Sequence, residues 1–179
     1  VNACLFMGTS LDELKRIPEA QINIAVSAAG LSCAKYLKSR FGMPYVAIAP
    51  MGNEYFSHIS DIIEGKNIEL TSPKGNSGKR ALIIMDQVMG NSLRNALHQA
   101  GCPHNINVAS FFGWDKNIAE AADFFIPSEK ELMMAIRSGK YDYVIGDPSL
   151  SKIPDMATVK YFGIAHPAVS GKLQWANVP

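Results

Sequence analysis

Charge is what this sequence has least of. Lysine and arginine number 17 against 16 aspartate and glutamate, a net charge of +1, and charged residues make up 18% of the chain, below the roughly 25% of an average soluble protein. So even a balance leaves no general electrostatic footprint for nucleic acid or an anionic membrane. Cysteine is scarce and odd in number. Cys4, Cys33 and Cys102 stand far apart and make neither a disulfide framework nor a zinc ribbon; reduced thiols in a cytoplasmic protein are the expectation. No apolar run approaches the roughly 18 residues of a membrane span, and no basic-then-apolar signal pattern opens the chain. A dinucleotide fingerprint is missing too, because no G-x-G-x-x-G follows a predicted strand. The stretch Gly75-Asn76-Ser77-Gly78-Lys79-Arg80 is not a phosphate loop. Two residues rather than four separate its glycines, Arg80 stands where Ser or Thr is needed, and a strand follows it rather than precedes it.

Apolar residues are present in quantity. They make up 47% of the 179 residues, too much for disorder, and a chain of this size buries about two-thirds of its unfolded surface. The chain starts at Val1 and runs at once into Ala3-Cys4-Leu5-Phe6. Natural N-termini are more often polar and frayed, so a piece of a longer protein is expected.

Short apolar runs alternate with amphipathic stretches. Ser10-Leu11-Asp12-Glu13 fits a capping box, opening a short helix to about Ile17. Ile22 to Ser27 reads as a buried strand. Gly30 opens a helix in which Leu31, Ala34, Leu37 and Phe41 recur at helical spacing. Gly42 supplies the stop, and Tyr45 to Ile48 the next strand. Glu54 to Glu64 reads as a helix with Phe56, Ile59 and Ile63 on one side. The Ser, Pro, Asn, Gly and Lys of Gly65 to Lys79 then mark a connector. Beyond it come a strand (Arg80 to Met85), a helix (Gln87 to Ala100) and a strand (Asn105 to Ser110). A short helix capped by Asp115 and an apolar Phe124-Phe125-Ile126 follow. A second capping box, Ser128 to Glu131, leads a helix through Ile136; strands at Asp142 to Ile145 and Val159 to Ile164 close the series. Strands joined by helical crossovers predict parallel sheets. The expected fold is Rossmann-like, three-layer α/β/α, in two consecutive units: residues 1–64 as a partial unit, 65–78 as a linker, and 79–179 as the second unit.

In open parallel sheets, ligands bind beyond the carboxyl ends of the strands, which singles out three segments. Ser27-Ala28-Ala29-Gly30 leaves backbone N–H groups open at a helix N-terminus, suited to an anion or a cluster edge, or else Gly30 serves close helix–strand packing. Asp86-Gln87-Val88-Met89-Gly90-Asn91-Ser92 combines a carboxylate and an amide, or else is a capped turn with Asn91 or Ser92 as the cap. Gly146-Asp147-Pro148-Ser149 offers a second carboxylate, or a polar cap on a helix begun by Pro148. His166 follows the last strand; no histidine pairs at metal-ligand spacing. The candidate site residues are therefore Ser27, Gly30, Asp86, Gln87, Asp147 and His166, with no metal ligand among them.

Taken in order, several segments resemble the nitrogenase component 1 type oxidoreductases. They are Leu11-Asp12-Glu13-Leu14, Asn23 to Ser27 with Gly30, Ala34-Lys35-Tyr36-Leu37, Arg40-Phe41-Gly42-Met43-Pro44-Tyr45, Gly78-Lys79-Arg80, Tyr141 to Pro148, and His166-Pro167-Ala168-Val169-Ser170. The resemblance runs from about Leu5 to Ser170. It implies consecutive Rossmann-like domains with a metallocofactor or a tetrapyrrole held between them. It also implies a homologous partner subunit, in a homo- or hetero-oligomer, and an ATP-driven iron–sulfur reductase that delivers electrons. The family's shared iron–sulfur cluster is held by cysteines of a domain that would precede this one, so no cofactor is expected on the isolated fragment. In the molybdenum enzyme's catalytic subunit a cofactor-ligating cysteine sits at the strand end before the Gly30-type helix; here that position reads Val26-Ser27. The expected role is a segment lining the cleft of a low-potential reductase, inactive alone. The alternative is a non-enzymatic two-lobed binding module for small ligands, or a cofactor-assembly scaffold.

Overall fold

The computed structural model describes residues 1–5, 8–66, 78–102, 104–138 and 140–166. Most of the expected connector 65–78, and the end of the resemblance at 167–170, lie outside the described residues. Two parallel sheets form, one from strands before residue 67 in the sequence and one from strands after residue 77. The first pairs β1 (Asn23–Ala25) with β2 (Tyr45–Ala47) in register Ile24 to Val46. The second has five strands: β3 (Arg80–Ile84), β4 (Asn105–Ser110), β5 (Phe124–Phe125), β6 (Tyr143–Gly146) and β7 (Lys160–Gly163). Their order is β5-β4-β3-β6-β7, every pair parallel. The chain builds outward from β3 in one direction and then the other, so the strand order reverses between β3 and β6. At such a switch point the connections leave on opposite faces and open a crevice at the carboxyl ends.

The helices are α1 (Leu11–Lys15), α2 (Ala28–Phe41), α3 (Tyr55–Ile63), α4 (Gln87–Gln99) and α5 (Glu129–Arg137). The expected capping box at α1 forms: Ser10 accepts from the Glu13 N–H and the Glu13 carboxylate accepts from the Ser10 N–H. Helix α2 buries Leu31, Ala34 and Leu37 and ends at Gly42, whose φ of 69° favours a residue without Cβ. Three expectations change. The box at Ser128 does not form, since its hydroxyl makes no capping bond. The cap of α4 is Asp86, one residue before the helix; Asn91 and Ser92 lie a turn inside it. The Asp115 helix is only a 3₁₀ turn, Lys116–Ile118.

The five-stranded sheet is covered on both faces. Ala81, Ile83, Met85, Ile106 and Val108 pack under Met89, Leu93 and Leu97 of α4. Leu82, Ile84, Ala109 and Val144 pack under Leu132 and Ile136 of α5, with Ile153 and Met156 from the 3₁₀ turns before β7. A third cluster joins the two sheets: Ala25, Ala28, Leu31, Ala34 and Ala49 meet Val88 of α4. Helix α4 is thus shared. Residues 89, 93 and 97 face the larger sheet, while Val88 and Ser92 face the smaller one, where the Ser92 hydroxyl accepts from the Ala49 N–H at 2.9 Å. Among the described residues no helix is long and apolar enough to cross a membrane.

The two helical glycines differ in what surrounds them. A Cβ on Gly90 would stand 2.6 Å from Cγ1 of buried Val108, whereas one on Gly30 would meet Ala25 at an ordinary 3.8 Å. Gly90→Ala is therefore expected to lower stability by about 1–3 kcal/mol through overpacking, and Gly30→Ala to change it by less than about 1 kcal/mol. Urea denaturation of the two variants side by side checks this.

Candidate functional site

Four of the expected site residues lie at the carboxyl ends of strands, for the reasons that shape each strand end. Asp86 follows β3, where the chain turns into α4. Its carboxylate, 5% exposed, accepts from the Val88 N–H at 2.9 Å and the Met89 N–H at 3.4 Å. It also accepts from the Ala28 N–H, the first residue of α2, at 2.9 and 3.0 Å. One carboxylate therefore sits at the positive ends of two helices. Ser27, the residue before α2, makes no side-chain capping bond, and Asp86 supplies that function from 58 residues along the chain.

Asp147 ends β6 on the other side of the switch point. Its Oδ1 accepts from the Ser149 N–H at 2.9 Å and the Ser149 hydroxyl at 2.6 Å, capping the 3₁₀ turn Pro148–Lys152. Its Oδ2 accepts from the His166 N–H at 3.3 Å. The Tyr161 hydroxyl donates to the Asp147 carbonyl. Burial, reinforced by the Asp147 carboxylate, pushes that hydroxyl far above the usual tyrosine range and keeps it a neutral donor. The imidazole of His166 stacks on Phe112, centroids 5.0 Å apart and planes 15° apart.

These contacts converge on the segment after β4. Phe111, Phe112, Gly113 and Trp114, with Phe125 of β5, line an open concavity of about 420 Å³. Phe112 and Phe125 are 37% and 44% exposed. Gly113 lies against α2, where a Cβ would stand 3.8 Å from Ala28. The buried Ser110 hydroxyl accepts from the Phe112 N–H at 3.0 Å and turns the chain out of the strand. Next in sequence, Gln87 fixes Asp115: its Nε2 donates to the Asp115 carbonyl at 2.9 Å and its Oε1 accepts from the Asp115 N–H at 2.8 Å. The Asp115 carboxylate pairs with Lys35 of α2 at 2.5 Å. Burial alone would raise the Asp115 carboxyl, but Lys35 and the Asn117 amide together outweigh it and hold it below the usual range.

The structure links His166 to the aromatic shelf through its stack on Phe112, Asp147 through His166, and Gln87 through Asp115. Asp86 instead binds the start of α2, Ser27 precedes that helix and Gly30 lies one turn into it against β1, and none of the six lines the concavity itself. The shelf residues themselves, Phe111, Phe112, Trp114 and Phe125, escaped the sequence reading. Phe-Phe-Gly-Trp stands directly beyond a correctly predicted strand end, and the rule that singled out the other three strand ends applied there too. The shelf offers broad apolar π-faces with a histidine at one end, which suits a flat conjugated ligand. Among the described residues no three His, Cys, Asp or Glu come together to hold a metal ion; Cys33 in α2 and Cys4 and Cys102, outside any helix or strand, are all free thiols.

No protein-family model matches the chain. It is 36% identical over 80 residues to a light-independent protochlorophyllide reductase subunit from Araucaria heterophylla, a match covering 44% of this chain and 77% of that protein. The chain belongs to the nitrogenase component 1-like family. The corresponding reductase subunit of Chlamydomonas reinhardtii is 45% identical over 53 residues, covering 29% of this chain and 8% of that protein. For the one from Physcomitrium patens the figures are 33% over 78 residues, 38% and 15%. The chain therefore spans only a small part of these two longer relatives. A solved structure described as nitrogenase Cp1 at pH 6.5 shares the fold, with a TM-score of 0.57 at 13% identity, covering 89% of this chain and 42% of that one. That likeness agrees with the expected parallel α/β architecture of nitrogenase component 1.

The Lys35–Asp115 pair ties the first helix of the smaller sheet to the shelf, and its effect on stability carries a sign. A carboxyl depressed in the folded state stabilises above its unfolded pKa of about 4, and that stabilisation is lost as pH falls through the depressed folded value. Lys35→Met should therefore be less stable than the parent at pH 7, with the difference shrinking as pH falls below the unfolded carboxyl range of about 4. Urea midpoints across that range test the expectation.

Proposed function

We propose that this chain is part of a nitrogenase-like reductase subunit and that its aromatic shelf forms one wall of a tetrapyrrole-binding cleft. The observation that carries the reading is the shelf itself: four aromatic side chains and the His166 stack beyond the carboxyl ends of a doubly wound parallel sheet. The names of the relatives supply the substrate class. In this reading Ser27, Gly30 and His166 border the bound macrocycle, and Asp86, Gln87 and Asp147 hold the frame around it.

The reduction itself would need electrons from an ATP-driven iron–sulfur reductase, relayed with a homologous subunit. The described residues do not fit an iron–sulfur cluster, since they bring no three ligands together, so the cluster would be held elsewhere in the assembly. The part played by this chain is binding and orientation, and the 179-residue chain alone is inactive.

Titration with protochlorophyllide, followed by quenching of tryptophan emission, tests the reading. Saturable binding is expected, weakened about fivefold or more by Phe112→Ala, because an aromatic stacking pair contributes roughly 0.5–1.5 kcal/mol beyond its area. No turnover is expected. A thermal shift with a simple anion or sugar, and none with the tetrapyrrole, would replace this reading with the two-lobed binding module.

A further inference from the structure

Helix α4 carries a polar stripe that is buried rather than solvated. Gln87, Asn91 and Arg94 recur at i, i+4 and i+7, on one face of the helix. Gln87 is 0% and Arg94 2% exposed. Each binds the segment that runs on from the shelf. Gln87 pairs with both backbone groups of Asp115. Asn91 donates to the Ile118 carbonyl at 2.6 Å. Arg94 binds the Asp123 carboxylate at 2.7 Å and Glu120 at 3.0 Å, and Asp123 in turn accepts from the Val108 N–H in β4 and the Glu120 N–H. Buried polar groups are costly unless fully matched, and an apolar stripe would serve packing alone. This one instead fixes the segment 115–123 along its whole length.

We infer that Gln87 is a positioning residue for the shelf: through Asp115 it sets where Trp114 and Phe112 stand, and so how tightly a flat ligand is held. The inference rests on the shelf being a ligand platform, although part of its test does not. Gln87 is fully buried and so acts through Asp115. It acts because its amide reproduces a backbone pairing, one donor and one acceptor, that no apolar or charged side chain of the same length can make.

The test uses the full chain in a Trp175→Phe background, which leaves Trp114 as its single indole. Gln87→Leu removes both bonds. Gln87→Glu keeps the acceptor but sets a carboxylate oxygen against the Asp115 carbonyl; once protonated, the introduced carboxyl is shaped like the amide and can donate again. Without any ligand, Gln87→Leu should shift Trp114 emission to the red and raise its quenching by acrylamide. Measured against the parent at the same pH, so that any response of His166 beside Phe112 cancels, Gln87→Glu should do so at pH 8 and revert toward the parent at pH 5.5. With protochlorophyllide as probe, Gln87→Leu should weaken binding about tenfold, and Gln87→Glu should recover affinity relative to the parent as pH falls. Circular dichroism confirms that the variants fold. Emission and quenching unchanged in Gln87→Leu, or a pH-independent Gln87→Glu, overturns the inference. If the parent binds no tetrapyrrole, the proposed function fails, while the unliganded emission still decides the role of Gln87.

Discussion

The structure turns on one buried carboxylate. Asp86 binds the first N–H groups of α4 and, across 58 residues of sequence, the first N–H of α2. A buried charge is tolerated only when donors surround it, and here three N–H groups and two helix dipoles do so. The geometry that satisfies the charge also brings the smaller sheet against the larger one. With α2 held there, Ala28 abuts Gly113 and Lys35 reaches Asp115. The loop after β4 thereby gains a wall to stand against. Beside that clasp the two sheets share the alanine-rich cluster around Val88, the Ala49–Ser92 hydrogen bond and the Lys35–Asp115 pair.

Helix α4 is enclosed on three sides, and each side has its own chemistry. Met89, Leu93 and Leu97 meet the sheet; Val88 and Ser92 meet the smaller unit; Gln87, Asn91 and Arg94 meet the loop. A helix this mixed in composition would normally present its polar face to water. Here the third side is covered by a segment with little regular structure, whose backbone groups need partners. The polar stripe supplies them. Packing, capping and loop anchoring are therefore coupled through a single helix.

Much of the fold was legible in the residues. Strands such as Asn105–Ser110 announced themselves because β-branched runs bounded by turn residues have few other uses, and Gly42 marked a left-handed cap that other residues rarely adopt. Helix α3 was placed correctly, yet its apolar side remains open: Phe56 and Ile63 are 79% and 61% exposed. Ser128 looked like a capping box, but having Glu at the right spacing does not oblige the hydroxyl to turn inward. Asn91 was read as a local cap when its partner is Ile118, 27 residues away. Local rules overlook such roles because the partner is brought near only by the sheet order.

By itself the sequence determined the alternation of elements, the parallel sheet and where its strands end. Those follow from periodicity and turn chemistry, which act over a few residues. Only the tertiary structure decided what those strand ends do. Asp86 became a clasp between helices, Gln87 a backbone mimic for Asp115, and Phe-Phe-Gly-Trp an exposed shelf beside His166. Each depends on two segments far apart in sequence meeting at one end of a sheet. The near-absence of net charge, the chain's most obvious lack, finds its counterpart there: Asp86 and Asp147 are met by N–H and O–H donors, and Lys35 and Asp115 face one another.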